Sequence, residues 1–188
     1  MAQQHSTGDI RGGYKVEIEG EPYIVVSNEF VKPGKGQPFN RIKVKHLITG
    51  RVVEKTFKSG EKVAEADVEE HKMRMLYKEG NDYIFMDDKT FEQITLSQAL
   101  LEGKTQWLME EVLYDVLFYK GQPIDVVPPT FMEMTVTDTV PGARGDTSGR
   151  VLKAATTDSG AVIQVPIFIE EGQKIKVDTR TGEYVSRI

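Results

Sequence analysis

The chain has 188 residues and a net charge of −5, and 39% of its residues are hydrophobic and 28% charged. This length exceeds a common single domain of roughly 100 to 150 residues, so the composition predicts two or three small globular domains and excludes wholesale disorder. The lack of cysteine excludes disulfides and thiolate metal sites, and the lack of a signal peptide or of a long apolar run predicts a cytoplasmic protein with no membrane partner.

Charge is unevenly distributed along the chain. Residues 1–65 carry a net charge of +3, residues 66–128 carry −7, and residues 129–188 carry −1. Within residues 30–62 the local excess reaches +7. Clustered lysine and arginine are the usual footprint of a phosphate-binding surface, so nucleic acid remains a candidate partner despite the acidic total.

The first predicted unit, residues 1–65, begins with alternating strands. YKVEIE and YIVVS flank a turn at Gly20, and FNRIKVKHL and RVVEKTF flank another at Gly50. Such period-two alternation predicts half-buried antiparallel strands, and residues 14–57 are therefore expected to form a small barrel. In FNRIKVKHL, Ile42 and Val44 are expected to face the core. The opposite face then carries a basic ribbon, which consists of Arg41, Lys43 and Lys45.

Between these strands lies VKPGKGQP, in which Lys35 stands between two glycines and is bracketed by Pro33 and Pro38. Glycine removes neighbouring side chains and permits positive φ, whereas proline fixes φ and extends the residue before it. One interpretation is a hairpin turn with a solvated lysine. The other is a stiffened loop that presents a lone lysine, a side chain that cells modify covalently.

The second predicted unit, residues 66–128, contains further alternating strands. EEHKMRMLY places His71, Met73, Met75 and Tyr77 on one predicted face, and SQALLEGKTQWLMEEV is a helix-compatible connection. About five strands with one short helical connection are typical of an oligonucleotide-binding (OB) type barrel. Pro128 and Pro129 then predict a boundary, because neither can donate to a strand ladder. Residues 129–188 repeat the scheme, so three small β-barrels in tandem are expected.

Sets of residues that would indicate an enzyme are not found. The three histidines, His5, His46 and His71, lie far apart in sequence without metal-ligand spacing, so no metal site is predicted. No nucleophile and base pair is found, and the Lys35 loop fails the phosphate-binding GxxxxGK[ST] pattern. The segment GARGDTSG contains the adhesion tripeptide Arg144-Gly145-Asp146, but without a secretion signal we expect either a plain hairpin or a phosphate-contacting loop.

Five segments resemble signatures of the bacterial translation elongation factor P family, and they run nearly end to end. They are EFVKPGKGQPF (29–39), LITGRVVEKTFKSG (47–60), FMDDKTFEQITL (85–96), the Gly-Asp-Thr at 145–147, and DTRTGEYVSR (178–187). The resemblance implies an all-β fold with a KOW/SH3-like amino-terminal barrel and two OB-type barrels, in an L-shaped arrangement like that of tRNA. It also implies a monomeric, non-enzymatic factor without a cofactor.

By the same resemblance, the factor binds the ribosome between the peptidyl and exit sites, contacts peptidyl-tRNA and rRNA, and relieves stalling at consecutive prolines. Lys35 would receive a β-lysyl or related group from a lysine-modifying enzyme. The loop that reaches the CCA end of the tRNA would comprise Lys32, Pro33, Gly34, Lys35, Gly36 and Gln37. The RNA backbone would be contacted by Arg41, Lys43 and Lys45. The small-subunit and exit-codon loop would comprise Arg144, Gly145, Asp146 and Thr147, and the tRNA anticodon stem would be contacted by Tyr184 and Arg187.

Two other function classes fit parts of the sequence. A general single-stranded nucleic-acid binder would use barrel aromatics such as Tyr83 and Phe85 as stacking platforms. An enzyme with a lysine Schiff base would need a desolvated lysine, and the glycine neighbours of Lys35 argue against one.

Overall fold

The computed structural model describes residues 1–142 and 151–188, and within them the chain forms sixteen β-strands and one short 3₁₀ helix. The first sheet has six strands in the order β1-β6-β2-β3-β4-β5. Their bounds are β1 Gln4–Ser6, β2 Lys15–Ile18, β3 Glu21–Val31, β4 Phe39–His46, β5 Val52–Lys58 and β6 Lys62–Glu65.

The predicted alternation in β4 is confirmed. Ile42 and Val44 are 1% and 0% exposed, whereas Lys43 and Lys45 on the opposite face are exposed. The buried face closes over one hydrophobic core, which comprises Ile10, Val16, Ile18, Val25, Ile42, Val44 and Val63. The sheet is larger than the predicted barrel of residues 14–57, because β1 and β6 pair with each other and β6 pairs with β2.

The second sheet has five strands in the order β11-β10-β7-β8-β9. Their bounds are β7 Val68–Glu79, β8 Asp82–Asp87, β9 Gln93–Ser97, β10 Leu113–Tyr119 and β11 Gln122–Val127. The predicted helical connection contains only the 3₁₀ helix Thr105–Trp107. The predicted common face in β7 is wrong at Tyr77, because a register irregularity after Met75 shifts the alternation and leaves Tyr77 45% exposed.

The third sheet also has five strands, in the order β14-β13-β12-β15-β16, and its outer strands β14 and β16 approach each other. Their bounds are β12 Phe131–Thr139, β13 Leu152–Thr157, β14 Val162–Pro166, β15 Lys174–Asp178 and β16 Glu183–Arg187. Inward residues of these strands form a core that includes Trp107 of the 3₁₀ helix. Met134, Ile163, Ile175 and Val177 are each at most 1% exposed in this core.

The nearly all-β architecture with three barrel-like sheets confirms the predicted fold class. Contacts divide the chain into two compact units, residues Met1–His71 with Val116–Asp125 and residues Lys72–Asp115 with Val126–Ile188. The predicted domain ranges 1–65, 66–128 and 129–188 stay predictions. No helix in the described part of the chain is long and apolar enough to cross a membrane.

Candidate nucleic-acid interface

The Lys35 loop closes a long β-hairpin. Strands β3 and β4 pair in antiparallel register from Tyr23 opposite His46 to Val31 opposite Phe39, with one register shift between Val25 and Ser27. The seven residues from 32 to 38 join the two strands at this far end. Because the paired strands continue to the base of the loop, the backbone ladder holds the loop at the end of a regular support.

The Lys35 side chain is exposed and has no hydrogen-bond or ion-pair partner among residues 1–142 and 151–188. Gly36 adopts φ +107°, a conformation that residues with a Cβ rarely adopt. At Gly34 a Cβ would meet no atom within 4 Å, so that glycine leaves open space beside the lysine. The half-buried Pro33 and Pro38 bracket the loop. The loop therefore presents Lys35 as an exposed cation, and the exposed Lys32 lies at the start of the same loop.

Two asparagines brace the hairpin below the loop. Asn40 is only 3% exposed, and its side-chain nitrogen Nδ2 donates to Oδ1 of Asn28 at 3.0 Å. Asn28 Nδ2 in turn donates to the carbonyl oxygens of Thr7 at 2.7 Å and Ile10 at 2.9 Å. The network ties β3 and β4 to the amino-terminal segment, because the side-chain bonds of the two asparagines cross between these parts of the chain.

Sequence reasoning missed this brace, although a signal for it was present. Asn40 lies in phase with Ile42 and Val44, at a position where the alternation calls for an apolar residue. A polar side chain at a core position implies a buried partner.

The basic ribbon is not uniform. Arg41 lies between two carboxylates, 3.7 Å from Glu29 and 3.5 Å from Glu54. Lys43 and Lys45 are exposed and have no ion-pair partner in the described part of the chain, although Lys43 lies opposite Glu54 in the neighbouring strand. Lys43 and Lys45 are therefore the unpaired cations that this face offers to a phosphate backbone, and the two exposed carboxylates partly offset the charge of Arg41.

The remaining predicted contact residues lie elsewhere. Arg144, Gly145, Asp146 and Thr147 lie outside the described residues. Tyr184 is half-buried and packs against the core of the third sheet. Arg187 is exposed, with its guanidinium carbon 5.9 Å from the centroid of the Phe168 ring. The contact roles of Tyr184 and Arg187 stay predictions.

The stacking platforms proposed for a general single-stranded nucleic-acid binder are wrong. Tyr83 is 5% exposed and Phe85 is 0% exposed, because β8 places both rings in the interior. A base needs an open aromatic face to stack, so neither ring offers one.

The histidines have ordinary structural surroundings. His5, His46 and His71 each lie within 3.3 Å of a glutamate, and these are Glu65, Glu21 and Glu69 respectively. Over the described residues, no group of three or more side chains is arranged to hold a metal ion.

In comparisons with known proteins, three protein-family models match most of the chain. The elongation factor P KOW-like domain matches residues 6–63, the elongation factor P OB domain matches 68–126, and the elongation factor P carboxy-terminal model matches 132–187. The chain is 65% identical over 189 residues to elongation factor P 2 of Protochlamydia amoebophila, covering 100% of this chain and 99% of that one. It is 58% identical over 184 residues to elongation factor P 2 of Chlamydia trachomatis, covering 97% of each.

Among solved structures, the chain resembles eukaryotic translation initiation factor 5A from Methanococcus jannaschii. The TM-score is 0.56 at 22% identity, over 68% of this chain and 95% of that one. At 22% identity this similarity is evidence for the fold alone.

Proposed function

This chain belongs to the elongation factor P family of translation factors, and on that premise we propose that it binds the ribosome beside peptidyl-tRNA and stimulates peptide-bond formation at consecutive prolines. The proposal makes it a non-enzymatic, monomeric, cytoplasmic protein whose partners are the ribosome, rRNA, peptidyl-tRNA and a lysine-modifying enzyme. It needs no cofactor beyond a covalent β-lysyl or related group on Lys35.

The observation that carries the proposal is the placement of Lys35. Its side chain is exposed at the end of the β3–β4 hairpin and unpaired within the described part of the chain. An enzyme can therefore reach the amine without unfolding the barrel. A Schiff-base catalyst would require a desolvated lysine, and this exposure disfavours that alternative.

The physical role of the hairpin in this proposal is positioning. Proline has a fixed φ and is a hindered nucleophile, so a nascent chain that ends in prolines can hold its ester carbon badly placed for attack. An offset of about 1 Å can cost roughly a hundredfold in rate. A modified Lys35 held on a braced hairpin would restrain the CCA end of the tRNA and recover part of that loss.

The test is a triple-proline reporter translated in a reconstituted system with protein purified from its native cells. The Lys35→Ala protein is expected to lose rescue of the stall because the amine that carries the modification is gone. Lys35→Arg keeps the charge but cannot be acylated in the same way, and it is expected to lose rescue as well. Intact mass, with fragments that localise any added group to Lys35, reports the modification.

The matched control is Lys58→Ala, which removes an exposed lysine from the neighbouring strand β5 and is expected to keep rescue. Circular dichroism verifies that each variant folds. Undiminished rescue by folded Lys35→Ala would refute the proposal.

A further inference from the structure

Phe30 is an exposed aromatic side chain near the far end of the β3–β4 hairpin, two residues before the Lys35 loop begins. It lies directly opposite Asn40, which in turn lies opposite Phe57 in β5. Directly opposed residues share a face of the sheet, so Phe30 lies on the face that covers the hydrophobic core. Phe30 does not belong to that core, however, and it is 58% exposed. The barrel therefore leaves this ring uncovered.

The strand that carries Phe30 is held in place on both sides of the ring. Backbone pairing with β4 continues past Phe30 to Val31, and the Asn28 side chain on the same strand is bonded to Asn40, Thr7 and Ile10. Within residues 1–142 and 151–188, no aromatic or cation–π contact involves the Phe30 ring. The ring is therefore free to meet a partner, and its fixed backbone lowers the entropy cost of doing so.

The charge of the hairpin indicates which kind of partner the ring fits. Residues 30–46 contain five lysine and arginine residues and no aspartate or glutamate. Among these cations, Arg41 is the one with carboxylate partners in the described part of the chain, and these are Glu29 and Glu54. Glu29 is the neighbour of Phe30 in β3, so its side chain points to the opposite face. The surroundings of the ring are therefore positive, which attracts phosphate and repels a basic protein.

An exposed ring beside unpaired cations is the combination with which proteins bind single-stranded nucleic acid. The ring stacks on a base while the cations contact the backbone phosphates. A base inside a duplex is already stacked on both faces, so such a ring selects an unpaired base. Five other aromatic residues in the described ranges are exposed, and all of them lie outside residues 30–46; they are Tyr14, Tyr77, Phe91, Phe131 and Phe168.

We propose that Phe30 is a stacking platform for an unpaired RNA base beside the site that Lys35 reaches. This inference rests on the proposed function, because that function supplies the RNA to which the hairpin binds. It adds an apolar contact to the charged ones, from a residue that received no contact role in the sequence analysis. The hairpin then holds the RNA by a base as well as by its backbone.

The affinity test uses ribosomes that carry a peptidyl-tRNA ending in proline. Phe30→Leu keeps the apolar bulk but loses the flat ring, and it is expected to weaken binding about tenfold. Phe30→Trp keeps a stacking surface and is expected to bind at least as tightly as the parent. The matched control is Phe91→Leu, which removes an even more exposed ring from a different sheet, and its affinity is expected to stay within about twofold of the parent.

The salt dependence separates stacking from a disturbance of the nearby lysines. Phe30→Leu removes no charge, so the slope of log affinity against log salt is expected to equal that of the parent. A reduced slope in this variant would mean that the ring acts by placing the cations, and it would overturn the inference. Intact mass verifies that Lys35 carries the same added group in the parent and the variants. Loss of that group in Phe30→Leu would show that the ring serves the modifying enzyme, which would also overturn the inference.

A photoreactive phenylalanine analogue at position 30 identifies what the ring contacts. Crosslinking to an unpaired nucleotide of tRNA or rRNA is expected, and crosslinking only to protein would sink the inference. Equal ribosome affinity of the parent and Phe30→Leu would sink it as well, while leaving the proposed function intact. If the parent itself does not bind ribosomes, both the proposed function and this inference fail.

Discussion

Asn40 donates a 3.0 Å side-chain hydrogen bond to Asn28 across the β3–β4 hairpin, directly below the strand ends that carry the Lys35 loop. Asn28 in turn donates hydrogen bonds to the carbonyl oxygens of Thr7 and Ile10. The position of Lys35, the loop residue that we expect to act on RNA, therefore depends on hydrogen bonds between segments about twenty residues apart in sequence.

Replacement of Asn28 by aspartate is expected to break this brace. The change substitutes an acceptor oxygen for the Nδ2 donor that faces the two carbonyls, so both lose a partner and meet a negative charge. We expect the free energy of unfolding to fall by about 2 kcal/mol. Urea unfolding followed by circular dichroism measures it. Asn81→Asp, a matched change at an exposed turn, is expected to have little effect, and an equal loss in both variants would contradict the role of the brace.

The different surroundings of the basic-ribbon residues predict opposite changes in ribosome affinity when Lys43 and the neighbouring Glu54 are replaced. Lys43→Ala removes an unpaired cation and is expected to weaken ribosome binding, with the slope of log affinity against log salt reduced by about one. Glu54→Gln removes the carboxylate opposite Lys43 and 3.5 Å from Arg41, so it is expected to strengthen binding. Binding titrations at several salt concentrations check both. A change of the same sign in the two variants would exclude this electrostatic account.

Tyr114 links two backbone groups in a buried position. Its hydroxyl donates to the Trp107 carbonyl at 2.6 Å and accepts from the Met109 N–H at 2.8 Å. Tyr114→Phe leaves both groups without this partner and is expected to lower the free energy of unfolding by about 2 kcal/mol. Fluorescence of the only tryptophan, Trp107, reports the transition. Tyr77→Phe, at a 45% exposed position, is the control and is expected to unfold like the parent.

The same tyrosine gives a spectroscopic check. Burial raises the pKa of Tyr114 to about 12. In an alkaline titration of phenolate absorbance, the step near this pH is expected to disappear in Tyr114→Phe. Its persistence would show that another tyrosine is responsible.

Acid stability is expected to depend in part on Glu17 and Tyr119. The Tyr119 hydroxyl donates to Glu17 Oε2 at 2.6 Å, and this bond is the main reason that the pKa of Glu17 lies below its ordinary value, with Lys120 contributing. A carboxylate with a lowered pKa stabilises the fold above the pKa of the unfolded chain, about 4.3, and loses that contribution as pH falls through the folded-state pKa.

Tyr119→Phe removes the principal cause of the lowered pKa. The gap in unfolding free energy between parent and variant is therefore expected to be largest at neutral pH and to shrink as pH falls below about 4. Urea unfolding at pH values from 7 to 3 measures the gap. A gap that stays constant with pH would show that Tyr119 acts through packing and its contact with the Gly20 carbonyl, and not through Glu17.

Much of this protein was predictable from local sequence pattern. Period-two alternation predicted the strand faces, and Ile42 and Val44 are buried as expected. The Gly and Pro residues around Lys35 predicted a loop that presents a lone lysine; Lys35 is exposed, and Lys32 in the same loop is exposed as well. These features were accessible because backbone dihedral limits and strand periodicity act over a few adjacent residues.

Contacts between side chains that are distant in sequence depend on the folded structure. It paired Arg41 with Glu29 and Glu54, buried Tyr83 and Phe85, and joined Tyr119 to Glu17 across 102 residues of sequence. A register irregularity also left Tyr77 exposed, where uninterrupted alternation predicted the same face as the buried Met75. Strand register and long-range packing set these contacts, and a one-residue shift in register reverses a face. The local alternation of apolar and polar residues does not reveal such a shift, because the shift is set by pairing with a neighbouring strand.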